Sequence, residues 1–211
     1  MNRAVWAWML IVLHGVAAGH VPKKHGVVEP SCKPKQMTAL TRSQVEASLT
    51  SFDAANGKHL GTWSPGFPLL HLDQNTPLVG ADVQCSLLFM SQGVEAILVD
   101  QRDNLNPDDV SLHKTLSHTV SRIGLLEACV KSILGGTCAA PPPPPHMPKP
   151  VFERKQWSHT LLKEAREYLV RLERKIGAHI FKVKGSIKQR IKHMLTMKKY
   201  HKYLEGSGYL L

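Results

Sequence analysis

Four cysteines are the residues whose type and number most readily suggest chemistry in this chain. They are Cys32, Cys85, Cys129 and Cys138. In an exported protein, an even number of cysteines favours two disulfides over metal ligation. No pair has the C-x-x-C spacing of zinc sites, so we expect no bound metal.

The histidines do not form a recognisable catalytic pattern. All 12 are scattered along the chain, and no HExxH, GxSxG, P-loop or GxGxxG motif is present. We therefore expect a binding protein and not an enzyme, with no cofactor.

Residues 1–19 have the features of a secretory signal peptide. Arg3 supplies a positive charge, residues 4–13 are apolar, and Gly19 is a small residue at the expected cleavage position. The apolar stretch is too short to span a bilayer. The sequence thus predicts a secreted protein with no membrane span.

The net charge of +11 favours acidic partners. A receptor face, sulfated glycans and anionic lipid are all candidates. Secretion makes nucleic acid the least expected of the polyanions. We expect a monomer.

Residues 20–185 contain four segments in which apolar residues recur with a helical period. The third segment is expected to begin with an Asn106 cap and to end at Gly135, and the fourth to end at Gly185. The apolar faces of the first and third segments are expected to include Leu40 and Ile133. The apolar face of the second segment is expected to consist of Val83, Leu87, Met90, Val94, Ile97 and Leu98. The four predicted segments cover about 35–55, 82–102, 107–134 and 155–183.

The connections between these segments are long, short and long. The last of them contains the Pro141–Pro145 run. A short link forces an antiparallel neighbour, whereas a long link can run the length of a helix and start the next one parallel. The pattern predicts an all-α, long-chain four-helix bundle with up-up-down-down topology and two long crossover loops. An up-down bundle with loose loops is the alternative.

This topology also predicts the disulfide pairing, because it gathers all four cysteines at one end of the bundle. Cys85 and Cys129 lie at similar distances from the turn near Asn106, so we expect them to pair across antiparallel helices. Cys32 and Cys138 then pair by default.

Residues 119–137, which precede the prolines, resemble the third helix of the thrombopoietin/erythropoietin family of four-helix-bundle cytokines. Residues 93–96 and 104–107 are similar to that family's second helix and short turn, and residues 168–176 to its fourth helix. The sequence departs from the family in having no cysteine after Cys138. The resemblance implies a haematopoietic growth factor that clamps two single-pass type I cytokine receptors and signals through JAK/STAT.

The resemblance also implies where receptors bind. A basic face of the fourth helix is expected to meet the first receptor, and the outer face of the third helix the second. An ordinary solvated surface is the alternative for both faces. The expected receptor-binding residues are Lys163, Arg166, Arg171, Arg174 and Lys175 on the fourth helix, and Arg122 and Leu125 on the third.

Residues 186–211 form a basic tail in which Ile191 and Leu195 share one side. A short basic amphipathic helix there could bind heparan sulfate or a membrane surface, and a disordered tail is the alternative. The tail leaves open a cationic host-defence or membrane-binding protein, and the helices leave open an interleukin-6-type ligand. The expected glycan-binding residues are Lys188, Arg190, Lys192, Lys198 and Lys199.

Overall fold

The computed structural model describes residues 32–64 and 66–206, without the side chains of 181–184, 186–187 and 199–206. The expected signal peptide therefore lies outside the described residues. The described residues form an all-α fold, as predicted, and contain no strand. Its α-helices are α1 (Pro34–Asn56), α2 (Gly80–Asp100), α3 (Val110–Leu134) and α4 (Val151–Gly206), with a 3-10 turn at Pro68–Leu70 and a π turn at Gln101–Leu105.

The ends of α3 illustrate how local sequence sets helix boundaries. Gly135 follows the helix with a φ of 66°, a conformation that favours glycine, so the predicted end is confirmed. The predicted Asn106 cap is wrong, because the side chain of Asp109 accepts the Leu112 N–H at 2.9 Å. Asn106 instead donates to the Gln101 side chain at 2.7 Å.

All four helices contribute to one hydrophobic core, which includes the whole predicted apolar face of α2. Two expected core residues are wrong: Leu40 is 44% exposed, and Ile133, in the last turn of α3, is 43% exposed. In α1, hydroxyl residues are buried instead, because their side chains can bond to a carbonyl one turn earlier. Thr38, for example, donates to the Pro34 carbonyl at 2.8 Å.

Helix α1 packs against α3 and α4. Its contact with α3 is a line of polar side chains, in which Thr41 donates to the Arg122 carbonyl at 3.4 Å and Ser48 to the Thr115 carbonyl at 3.4 Å. The hydroxyls of Ser48 and Thr119 also lie 2.7 Å apart. Because these bonds satisfy the buried hydroxyls, this helix interface needs no continuous apolar stripe.

Two pairs of polar side chains cross the interface between α1 and α4, at different levels along the helices. Arg42 Nε lies 3.3 Å from Glu173 Oε2, and Asp53 Oδ1 lies 2.8 Å from His159 Nδ1. These contacts fix which faces of the two helices meet.

Helix α2 also packs against α3 and α4. Gln84 donates to the Glu127 carbonyl of α3 at 3.1 Å. The Asp100 carboxylate lies 3.5 Å from an Arg154 guanidinium nitrogen of α4. The backbone at Gly93 approaches Leu161 so closely that an added Cβ would overlap that side chain.

The first long loop, residues 57–79, is fastened along α4. Five loop residues form hydrogen bonds to five α4 residues, which lie one helical turn or more apart. Later positions in the loop bond to later positions in α4. The bonds join Leu60 to Gln156 at 3.0 Å, Trp63 to Thr160 at 2.9 Å, Phe67 to Glu164 at 3.0 Å, Leu70 to Arg171 at 3.4 Å, and Thr76 to Lys175 at 2.5 Å.

An aromatic cluster anchors the middle of this loop. Phe67 is buried, with its ring centroid 5.6 Å from that of Trp63, 6.0 Å from Phe89 of α2 and 5.3 Å from Trp157 of α4. The first long loop is therefore part of the packed core and not a loose connection.

The two disulfides join Cys32 to Cys129 and Cys85 to Cys138, with Cα separations of 5.5 Å and 4.9 Å. The predicted pairing is wrong. The prediction assumed that Cys85 and Cys129 face each other because they lie at similar distances from the turn between α2 and α3. In the structure it is the neighbouring residue, Gln84, whose side chain points to α3 and bonds to it. Disulfides persist in oxidising compartments, in agreement with a secreted protein.

Helix α4 passes through Gly185 without a break, so the predicted end there is wrong. A single interior glycine costs a helix only about 1 kcal/mol, which the surrounding helix formers offset. Among the side chains of α4 that the structure describes, the last buried apolar one is Ile176, and those of 188–198 are all exposed. No helix in the described ranges has the length and apolar character needed to cross a bilayer.

Candidate functional site

Two adjoining open grooves lie between α1 and α4. The groove nearer the α1 start has a volume of about 480 Å³ and the other about 610 Å³. Both are lined by Arg42, Val170 and Arg174, and the larger also by Glu46 and Arg166. We call these five residues the α1–α4 surface.

Arg42 is the α1 residue that organises this surface. Its guanidinium lies 3.3 Å from the Glu173 carboxylate and 3.9 Å from that of Glu46. Partly exposed pairs of this kind contribute less than about 1 kcal/mol each to stability. Their main effect is to hold the Arg42 side chain across the α1–α4 boundary.

Arg166 and Arg174 are the cations left available for a partner. Arg174 is exposed and Arg166 half-buried, and both line the larger groove. Within the described part of the chain, neither forms a hydrogen bond or ion pair with a protein group. Of the expected receptor-binding residues, these two match an accessible surface best.

Arg171 and Lys175 have a structural role as well. Arg171 donates to the Leu70 carbonyl at 3.4 Å and lies 3.9 Å from the Glu167 carboxylate. Lys175 donates to the Thr76 carbonyl. Arg171 also lines the larger groove. Both residues fasten the first long loop, however, which leaves them less free to contact a partner.

The other expected receptor-binding residues lie outside the grooves. Lys163 is exposed on α4 but lines neither groove. On α3, Leu125 is 54% exposed and Arg122 is half-buried. Since α3 packs on α1 and α2, these α3 residues belong to a separate surface.

Sequence reasoning missed the α1 contribution, chiefly Arg42 and Lys35. Their role follows from the packing of α1 on α4, which their own positions do not reveal. The signal that could have found them is the i,i+4 pair Arg42–Glu46, which marks an exposed stripe of α1.

Glu164 holds the first long loop by accepting the Phe67 N–H at 3.0 Å. Burial raises the pKa of its carboxyl above the ordinary value, although the Phe67 N–H opposes this shift. Gly66, with a φ of 77°, lets the loop pass so close that a Cβ there would lie 2.9 Å from Glu164 Oε1.

Tyr168 is a fully buried polar residue of α4. Burial raises the pKa of its hydroxyl to about 12, so it stays neutral at physiological pH. In the described ranges no cluster of His, Cys, Asp and Glu could hold a metal ion.

The expected glycan-binding residues continue along α4. Lys188, Arg190, Lys192 and Lys198 are exposed, and the side chain of Lys199 lies outside those described. None of the four whose side chains are described lines the grooves.

Comparison with known proteins finds no family model and no curated protein that matches the chain.

Proposed function

We propose that this chain is a secreted helical cytokine, of the type found in the thrombopoietin/erythropoietin family, that binds and dimerises a single-pass type I cytokine receptor and so triggers JAK/STAT signalling. The observation that carries this proposal is the course of the first long loop along α4. Such a loop is the overhand connection that defines the growth-hormone and cytokine class of bundles.

We infer an up-up-down-down order of helices from paired contacts. Moving forward along α1, from Arg42 to Asp53, the partners on α4 move backward from Glu173 to His159. The α3 partners of α1 also move backward, from Arg122 to Thr115. These contacts support α1 running antiparallel to both α3 and α4.

The same reasoning applies to α2. From Gly93 to Asp100, its partners on α4 move backward from Leu161 to Arg154. Two helices that are antiparallel to the same helix are parallel to each other, so α1 and α2 form one parallel pair. The first long loop supports this order, because it begins beside Gln156 and follows α4 to the level of Lys175.

The α1–α4 surface suits a protein partner better than a small molecule. Small-molecule sites enclose their ligand, whereas these grooves are open along their length. Arginine is enriched at the centre of protein interfaces, where a single side chain can contribute about 2 kcal/mol or more. Arg166 and Arg174 beside the apolar Val170 fit this pattern.

The test is binding of the secreted chain to purified type I cytokine receptor ectodomains. We expect Arg174→Ala to weaken binding of the first receptor about 30-fold, the effect of losing a central interface arginine. Lys114→Ala removes the same charge from an exposed site on α3 and serves as the matched control. Equal effects of the two substitutions would argue against the α1–α4 surface as the binding site.

A substitution at Leu125 tests whether the outer face of α3 contacts a second receptor. We expect Leu125→Arg to leave the affinity for the first receptor unchanged but to prevent a second ectodomain from joining, because it places a charge in an exposed apolar position. Reporter-cell signalling should then be lost while binding persists. If ternary complexes form normally, the second contact does not lie on this face of α3.

A further inference from the structure

The part of α4 beyond the core carries apolar side chains that contact nothing in the core. Ile191 is 48% exposed, Met194 60% and Leu195 63%. Every described side chain from 188 to 198 is exposed. We call residues 188–198 the amphipathic segment.

The spacing of these residues puts them on one side of the helix. At about 100° per residue, Ile191, Met194 and Leu195 fall within one arc of about 100°. Gln189 and Thr196 lie on the opposite side. The apolar stripe ends at Lys198, which falls within the same arc one turn after Met194.

Cations border the apolar stripe on both sides. Lys188 and Lys192 follow Leu195 around the helix, and Arg190 lies beyond Met194. Long basic side chains next to an apolar stripe can lay their stems on an apolar phase while their charges reach polar headgroups. This is the arrangement of helices that lie flat in a membrane interface.

We propose that the amphipathic segment binds the surface of membranes that contain anionic phospholipid, with Ile191, Met194 and Leu195 inserted among the acyl chains. Charge complementarity selects an anionic surface. A sulfated glycan would contact the cations but would leave the apolar stripe in water, so lipid accounts for more of the observed pattern. The segment lies in the interface without crossing the bilayer, since no described helix could span one.

Membrane binding by the amphipathic segment uses no residue of the α1–α4 surface. A substitution that abolishes receptor binding should therefore leave membrane binding intact, and one that abolishes membrane binding should leave receptor binding intact. The two functions can be measured separately on the same protein.

The experiment measures partitioning of the secreted chain onto phosphatidylcholine vesicles with and without about 30% phosphatidylserine. We expect binding to the anionic vesicles alone. Ile191→Ser with Leu195→Ser should weaken that binding about tenfold or more at unchanged charge. Because each basic residue near an anionic surface contributes about fivefold, Lys188→Gln with Lys192→Gln should weaken it about 25-fold.

Two further variants control for folding and for apolar exposure in general. Val110→Ser with Val151→Ser removes two exposed apolar side chains elsewhere, on α3 and at the α4 start, and should not change binding. Leu195→Trp places a fluorescent side chain within the stripe, and its emission should shift to shorter wavelength when anionic vesicles are added.

Three results would overturn the proposal. The first is equal binding of the Ile191/Leu195 variant and the unmodified chain, which would mean that charge alone acts. The second is binding to heparan sulfate, dependent on the lysines, with no binding to anionic vesicles. The third is a dimer that the Ile191/Leu195 substitutions convert to a monomer, again without vesicle binding.

Discussion

Replacing Phe67 with alanine would test the packing of the first long loop on α4. Phe67 is 6% exposed and its ring contacts three other aromatic rings, two of them on α2 and α4. Removing a buried phenylalanine side chain costs about 3–5 kcal/mol. A domain is stable by only about 5–15 kcal/mol, so the loss would be a large part of the total.

Urea unfolding followed by tryptophan fluorescence is the appropriate assay, because Trp63 and Trp157 lie against the substituted ring. We expect the midpoint for Phe67→Ala to fall by more than about 1 M. Leu69→Ala is the matched control in the same loop: Leu69 is 38% exposed, so its loss should cost about 1 kcal/mol or less. If Phe67→Ala is no more destabilising than Leu69→Ala, the loop is not packed in the core and the proposed overhand connection loses its main support.

Three other perturbations follow from particular contacts. Peptide mapping should find Cys32 joined to Cys129, and a Cys32 peptide joined to any other cysteine would refute the pairing. Replacing both cysteines with serine should lower the free energy of unfolding by up to about 4–5 kcal/mol, because the disulfide joins residues 97 positions apart in the sequence. Gly124→Ala should raise the free energy of unfolding by about 0.5–1 kcal/mol, because its Cβ would meet nothing within 4 Å. Gly80→Ala should instead lower it by about 1–3 kcal/mol, because its Cβ would overlap the carbonyl oxygen of Gly135 at the end of α3, and equal effects of the two substitutions would contradict this packing. Burial raises the pKa of Glu164 in the folded state above its ordinary value of 4.5, so its contribution to stability is complete below the unfolded pKa and is lost as pH rises through the folded pKa. Glu164→Gln should therefore gain stability relative to the unmodified chain as pH rises above the unfolded pKa, and a pH-independent difference in thermal melting would contradict the shift.

The sequence predicted those features that depend on apolar periodicity and on chain breakers. Every residue of the expected α2 stripe is buried, and Gly135 ends α3. The prediction that Leu40 belongs to the buried face of α1 was wrong, because α1 meets α3 through serine and threonine hydroxyls that form hydrogen bonds within this interface. Periodicity of apolar residues alone cannot register such a face.

The disulfide pairing needed information that spacing does not contain. The height of a cysteine along a helix can be counted from a turn, but the direction of its side chain depends on how the helix is rotated about its axis. Here Gln84 faces α3, while Cys85 reaches the loop after it. The predicted end of α4 at Gly185 was wrong for a different reason, since one glycine weakens a helix without ending it.

The candidate site was predictable on one helix only. A helical wheel was enough to place Arg166 and Arg174 away from the core. Arg42 could not be assigned, because its position in the site depends on the packing of α1 against α4, which is a long-range property of the fold. The structural use of Lys175 was hidden for the same reason, since its partner lies in a loop about 100 residues earlier.

The most direct test of the cytokine proposal is the mass of the complex formed when the secreted chain is mixed with an excess of type I cytokine receptor ectodomain. For a receptor that recognises the chain, light scattering should give the mass of one ligand with two ectodomains. A chain that stays at its own mass with every type I ectodomain, at concentrations well above those of cytokine binding, would contradict the proposal.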